Sequence, residues 1–179
     1  MEEAAISIVV PTQKHEDATM ACRQDFMDSG ADMHIPGSGE IQDFTNFKEW
    51  ILHCQSNNNI NQPDGRVRST QYLVMDEGKK HVVGFIQLRH SLTQYLYQSG
   101  GHIGYSIAPR ARKKGYATKA LRLCLKKAKL LGIDKVLITC DIDNLGSESV
   151  IKKVGGKLEN ITPSEGLTKS KKRYWVKTI

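Results

Sequence analysis

Short apolar runs and spaced apolar stripes divide the chain into recognisable elements. Ile6-Ser-Ile-Val-Val10 predicts a strand, and the spaced apolar positions of Glu16 to Met27 and Asn46 to Cys54 predict two helices. Between those helices, Gly30 to Glu40 is glycine-rich, carries His34 and reads as a shaped loop. The polar stretch Asn57 to Arg68, with Pro63-Asp-Gly65, favours turns and reads as a surface loop. Gln71 to Met75 and His81 to Leu88, rich in β-branched and aromatic residues, predict a hairpin turning at Asp76-Glu-Gly-Lys79.

The second half is patterned more strongly. A third strand is predicted over Gly101 to Ile107, followed by an amphipathic helix from Gly115 to Leu131. Its apolar stripe is Ala117, Ala120, Leu121, Cys124, Ala128 and Leu131, and Lys119, Arg122, Lys126 and Lys129 line the other face. Gly132 breaks that helix, and the apolar run Lys135 to Cys140 suits a strand covered on both faces. A strand, a helix and a strand in this order imply a parallel crossover. A short helix from about Ser147 to Val154, capped by Asn144 and stopped by Gly155-Gly156, leads to a strand pair, Lys157 to Ile161 and Arg173 to Thr178.

Composition bounds the reading. With 179 residues and 39% apolar content, the chain suits one compact domain, 1–179. The four cysteines form no C-x-x-C pair, which suggests neither a zinc knuckle nor a disulfide framework; no metal is expected, and a reduced cytoplasm is the simplest home. No export signal and no uncharged run of about 18 residues is present, so no membrane partner is expected. The formal charge of +7 favours an anionic partner without choosing among phosphorylated cofactors, nucleic acid and membrane surfaces.

One segment narrows that choice. After strand 101–107 come Ala108-Pro109, then Arg110, Arg112, Lys113 and Lys114, and then Gly115 opening the amphipathic helix. The first turn of a helix offers unpaired N–H groups and the positive end of its dipole, and a glycine there lets a phosphate approach the backbone. Neither a Walker loop nor a G-x-G-x-x-G fingerprint is present. A solvated basic loop before a surface helix is the plainer reading of the charges alone.

Arg112-x-x-Gly115-x-Ala117, in this strand-to-helix setting, resembles the Arg/Gln-x-x-Gly-x-Gly/Ala signature of the GNAT superfamily of N-acetyltransferases. Asp143-Asn-Leu-Gly-Ser147 and Val150-Ile-Lys-Lys-Val-Gly155 are similar to the superfamily's second motif. Gly100-Gly-His-Ile-Gly-Tyr105, Leu137-Ile-Thr-Cys140, Gly155 to Asn160 and Arg173-Tyr-Trp175 resemble a narrower bacterial subgroup of acetyltransferases with no assigned substrate. The resemblance spans roughly residues 82–175.

The resemblance implies an α+β fold, with a mostly antiparallel mixed sheet, a splayed parallel strand pair (101–107 and 135–141) and flanking helices. It implies acetyl-CoA as acetyl donor to a primary amine, small molecule or peptide, by direct attack in a ternary complex. By position, Ser106, Ile107 and Ala108 are expected to contact pantetheine, and the backbone of Arg112, Lys113, Lys114, Gly115, Tyr116, Ala117 and Thr118 to hold the pyrophosphate. Asn144 and Ser147 fall where the family often contacts coenzyme A again, and a backbone N–H near Ile107 is expected to polarise the thioester carbonyl. An amine attacks only as the free base, and His102, where several relatives carry a glutamate, is the expected catalytic base, with His90 the second choice and Arg89 its polar alternative. Thr139 and Ile151 stand where enzymes of ribosomal-protein N-termini carry Glu and Tyr, so the acid on the thiolate is left to Tyr105, Tyr174 or water.

Two other readings remain at this level: a basic nucleic-acid-binding module using Lys169-x-Lys-Lys-Arg173, and a CoA-binding homologue without catalysis. Nucleic acid is not the expected partner, because no helix-turn-helix, zinc or RNP pattern accompanies the charge. A monomer or a homodimer fits equally. Acceptor specificity is expected near Gly30 to Glu40 and Asn160 to Lys172, with Asp32, Glu40 and Asp43 as possible attractors of a cationic amine.

Overall fold

The computed structural model describes residues 5–30, 34–59, 65–78, 80–163 and 169–179. The elements run β1 (Ile6–Val9), α1 (Glu16–Asp28), α2 (Phe47–Asn57), β2 (Ser69–Asp76), β3 (His81–Arg89), β4 (Ile103–Ile107), α3 (Tyr116–Leu130), β5 (Lys135–Asp141), α4 (Leu145–Lys153), β6 (Lys157–Thr162) and β7 (Lys171–Lys177). A π-helical turn, Leu96–Gly100, precedes β4 and has no counterpart in the expected elements. Parts of the predicted turns at Pro63-Asp64 and Lys79, and Asp32, lie outside the described residues.

The strands form two antiparallel sheets, ordered β1-β2-β3-β4 and β5-β7-β6. The expected splay falls between β4 and β5, where the strands divide into the two sheets. Because neighbouring strand residues face opposite sides, each sheet separates two environments. Ile86, Leu88, Ile103 and Ile107 of the first sheet and Val136, Ile138, Cys140, Tyr174 and Val176 of the second share a core with α3 and with Ile151 of α4. On the other side of the first sheet, Leu73 and Phe85 pack with Cys22 and Phe26 of α1 and Phe47, Trp50, Ile51 and Cys54 of α2.

The helices form where their buried residues recur at three- and four-residue spacing. In α3 the buried stripe is Tyr116, Ala120, Leu121, Cys124, Leu125 and Ala128. Leu131, expected in that stripe, is half exposed, because the helix closes there and Gly132 turns left-handed at φ 78. Asn144 caps α4 by accepting the Ser147 N–H at 3.0 Å. Gly155 ends the same helix with φ 89, and the Gly156 N–H returns to the Ile151 carbonyl. All four cysteines are free thiols and buried. Among the described residues no helix is long and apolar enough to cross a membrane.

Candidate active site between the two sheets

The break between the sheets closes at one end only. The His102 N–H donates to the Leu137 carbonyl at 2.7 Å, and the Leu137 N–H donates back to His102 Nδ1 at 2.9 Å. Gly101 makes this approach possible: its φ is 66, and a Cβ there would lie 2.6 Å from the Leu137 oxygen. Beyond this clasp β4 and β5 share no ladder. The Arg89 N–H reaches the His102 carbonyl and the Ala108 N–H reaches the Val83 carbonyl, so the even-numbered residues of β4 spend their backbone groups on β3. By the antiparallel alternation, Tyr105 and Ile107 turn theirs to the open edge. Ser106 and Ala108 are thus on the strand expected to meet pantetheine but with their backbone engaged elsewhere, while Tyr105 is a residue the positional reading left out.

Past β4 the chain makes the basic turn. Arg112 Nε donates to the Ile107 carbonyl at 3.0 Å, Lys114 Nζ to the Arg110 carbonyl at 3.2 Å, and Arg110 Nε pairs with Asp25 at 3.2 Å. These side chains brace the turn. Lys113 adopts φ 61 and Gly115 φ 82, and Gly115 is the N-cap of α3 with no side-chain cap and no acidic residue in the first turn. The Lys119 N–H makes a bond to the Gly115 carbonyl, leaving the amides of Tyr116, Ala117 and Thr118 as first-turn donors without a helical acceptor. A Cβ on Gly115 would meet nothing within 4 Å. The result is an open, uncapped, positively polarised helix end beside an open strand edge. These residues fit a pyrophosphate and its pantetheine arm.

His102 is 8% exposed, and burial, with the Arg89 charge beside it, pushes its pKa down to about 4. Since Nδ1 accepts the Leu137 N–H, the neutral ring carries its proton on Nε2 and has no lone pair to spare. The expected base is held as a clasp between strands. His90 pairs through Nε2 with Thr70 Oγ1 at 2.8 Å, and burial also lowers its pKa. Strand parity sets His90 with Ile86 and Leu88, whereas Arg89 shares parity with Phe85 on the opposite side.

Further contacts join the sheets around the opening. Tyr105 Oη and Ser147 Oγ pair at 2.8 Å, tying β4 to the start of α4, and burial pushes the Tyr105 pKa up to about 12. Tyr174 donates to Glu148 at 2.7 Å, so its hydroxyl is engaged as well. Asn144 and Ser147 are therefore adjacent to the opening, with Asn144 capping a helix and Ser147 bonded to tyrosine. On the loop side, Gly37 abuts Gly104, and Ser106 Oγ is buried without a hydrogen-bond partner among the described residues. Glu40 pairs with His53 at 3.0 Å and Asp43 accepts from Gln42 at 3.2 Å.

The basic run near the C-terminus is neutralised in place. Lys169 pairs with Asp143 at 2.6 Å, Lys171 with Asp141, Lys172 with Glu148 at 2.6 Å and Arg173 with Glu159 at 2.8 Å. A nucleic acid would have to displace all four carboxylates, so the run is not the free patch that its spacing suggested.

The comparisons agree with this geometry. The Acetyltransferase (GNAT) domain model matches residues 8–157. No curated protein matches the chain in sequence. A putative ribosomal-protein-serine acetyltransferase from Vibrio cholerae superposes with TM-score 0.67 at 16% identity, covering 96% of this chain and 93% of that one. The microcin C7 self-immunity acetyltransferase MccE, solved with acetyl-CoA and AMP, gives TM-score 0.68 at 15% identity over 97% and 92%. Mutant forms of the spermidine/spermine N-acetyltransferase SpeG from Vibrio cholerae give 0.64 at 15% over 97% and 95%. At these identities the solved structures establish a shared fold, and the domain match, which covers most of the chain, establishes the family. The divided sheet and the uncapped helix end are thus those of an acetyltransferase, and the chain belongs to the GNAT family.

Proposed function

We propose that this protein transfers the acetyl group of acetyl-CoA to a primary amine by direct attack in a ternary complex. The observation that carries the reading is the uncapped N-terminus of α3, open at Gly115 and placed at the free edge of β4. Bound there, acetyl-CoA supplies the acetyl group as an activated thioester. The first-turn amides of Tyr116, Ala117 and Thr118, with those of Lys113 to Gly115, hold the pyrophosphate; Arg112, whose own N–H donates to the Pro109 carbonyl, and Lys114 hold the turn itself. The open-edge backbone of Tyr105 receives the pantetheine; the Ile107 carbonyl is taken by Arg112, and the Ile107 N–H is the donor available to a developing oxyanion.

His102 in this scheme is a positioning residue: its clasp sets where β4 and β5 part and so where the thioester carbonyl comes to rest. The amine loses its proton to water, as the engaged Nδ1 lone pair implies. Tyr105 Oη, protonated up to about pH 12, is the hydroxyl that β4 contributes for the departing thiolate.

The experiment is acetyl-CoA binding by calorimetry together with thiol release across a panel of primary amines. Gly115→Asp, which sets a carboxylate where the pyrophosphate is expected, should weaken acetyl-CoA at least about 10-fold. Unchanged affinity would overturn the cradle, and absence of turnover with every amine would overturn the transfer.

A further inference from the structure

Two arginines flank the mouth of the divided sheet, and neither is used by the cofactor cradle. Arg89 ends β3 on the side facing the α1–α2 loop. Its Nη1 donates to the carbonyls of Gly100, at 3.1 Å, and Gly101, at 3.0 Å. Its Nη2 continues toward β4, 3.8 Å from where a Cβ on Gly104 would stand. Among the described residues no carboxylate pairs with Arg89; burial lowers its pKa, and a guanidinium stays charged in proteins. A half-buried guanidinium with no counter-charge is an unusual expense in a folded chain.

Arg173 lies on β7, directly opposite Thr139 of β5, on the face turned away from the α3 core. It is 4% exposed. Nε donates to the Tyr97 carbonyl at 3.0 Å, Nη1 to Asn160 at 2.9 Å and to Glu159 at 2.8 Å, and the guanidinium carbon stands 4.6 Å from the Tyr97 ring centroid. Nη2 is buried with no hydrogen-bond partner among the described residues. Buried donors are nearly always satisfied, so one left open marks a place for an acceptor atom.

The same short turn links the two. Arg89 holds its C-terminal end, Arg173 holds Tyr97 within it, and the Thr139 hydroxyl donates to the Ser99 carbonyl between them. The turn leads straight through Gly101 into the His102 clasp. Both guanidinium groups are therefore fixed beside the point where the strands part; Arg89 has no carboxylate among the described residues, and Arg173, paired with Glu159 through Nη1, keeps Nη2 open.

We propose that Arg89 and the open Nη2 of Arg173 form an anion clamp for the acceptor, so that the amine acetylated by this protein also carries a carboxylate or phosphoryl group. This rests on the acetyl-transfer reading and narrows its substrate class. Guanidinium groups bind carboxylate and phosphoryl oxygens through charge-assisted bonds. The uncompensated charge of Arg89 repels polyamines, whose second ammonium would meet a like charge at the clamp.

The test uses acceptor pairs that differ only in the anion: L-serine against L-serinamide, and phosphoethanolamine against ethanolamine, with spermidine as the polycation, read by thiol release. The unaltered protein should favour the anionic member at least about 10-fold in kcat/KM. Which pair shows the larger ratio separates carboxylate from phosphoryl recognition. In Arg89→Gln and Arg89→Lys the ratio should shrink mainly through KM, with acetyl-CoA affinity retained. Equal or better turnover of amides or spermidine overturns the clamp, as does a ratio unmoved by either variant. If no amine is turned over, calorimetric binding of L-serine and phosphoethanolamine decides separately: binding lost in Arg89→Gln supports the clamp while the transfer reading fails, and no binding to the unaltered protein sinks the clamp.

Discussion

Replacing His102 separates a strand clasp from a catalytic base. His102 Nδ1 accepts the N–H of Leu137, a residue with no exposed surface, and the ring's pKa falls from the ordinary 6.5 to about 4 through burial and the nearby Arg89 charge. Because the folded pKa lies below the unfolded one, the unfolded chain binds more protons between pH 6.5 and 4. The stabilising contribution is complete above pH 6.5 and is lost as the pH falls toward 4. Between pH 7.5 and 5.0 the loss attributable to this ring is about 2 kcal/mol, or roughly 4 to 8 °C in Tm for a chain of this length. His102→Asn sets an amide oxygen near the place of Nδ1, keeps the clasp and removes the titration, so the pH-dependent loss should shrink by that amount. His102→Ala should leave the Leu137 N–H buried and unpaired, at a cost of about 1–3 kcal/mol at every pH. Urea unfolding of the three proteins at pH 7.5 and 5.0 measures both effects, and acetylation rates measure the function. A clasp predicts that His102→Asn stays within about 10-fold of the parent rate, whereas removal of a base costs about 10²–10⁴. A folded Asn variant that loses the rate on that scale, or one as acid-sensitive as the parent, would refute the clasp.

Three further outcomes are expected. Gly37→Ala should destabilise the protein by at least about 2 kcal/mol, since φ is 71 and the new Cβ would overlap the Gly104 carbonyl; Gly30→Ala, with φ 82 but open space, should cost only the backbone term of about 1–2 kcal/mol. Thermal unfolding of the pair compares them directly. Tyr116→Phe removes the hydroxyl that donates to the buried Asp76 at 2.5 Å and should cost about 1–3 kcal/mol in urea unfolding at pH 7. The Glu148 pKa is drawn down to about 2 by Lys152, Lys172 and Tyr174, so its contribution is present above about pH 4.5 and fades below it; Glu148→Gln should flatten the decline in Tm between pH 4.5 and 3, and an unchanged slope would reject the assignment.

Much of the fold is legible because local chemistry and tertiary structure agree. The stripe through Ala120, Leu121, Cys124 and Ala128, the Asn144 cap and the Gly155-Gly156 stop each state a helix and its limits in nearby residues. The Leu96–Gly100 turn was not legible. Its carbonyls are held by Arg89, Thr139 and Arg173, which come from three distant strands, and no local pattern encodes such support. The candidate site divides the same way. Arg112 and Gly115 were visible as a motif whose backbone is expected to hold the pyrophosphate, but nothing in the spacing told that Arg112 and Lys114 are spent on the carbonyls of Ile107 and Arg110.

By itself the sequence determined the order of the elements and the family, since each depends on residues close together along the chain. Only the tertiary structure decided that His102 spends its lone pair on Leu137, that Lys169 to Arg173 is neutralised by carboxylates from other elements, and that Arg89 and Arg173 hold carbonyls of one turn, Arg173 with Nη2 to spare. Protonation and availability depend on what surrounds a group in space. A chain brings residues such as 102 and 137 together only when it folds.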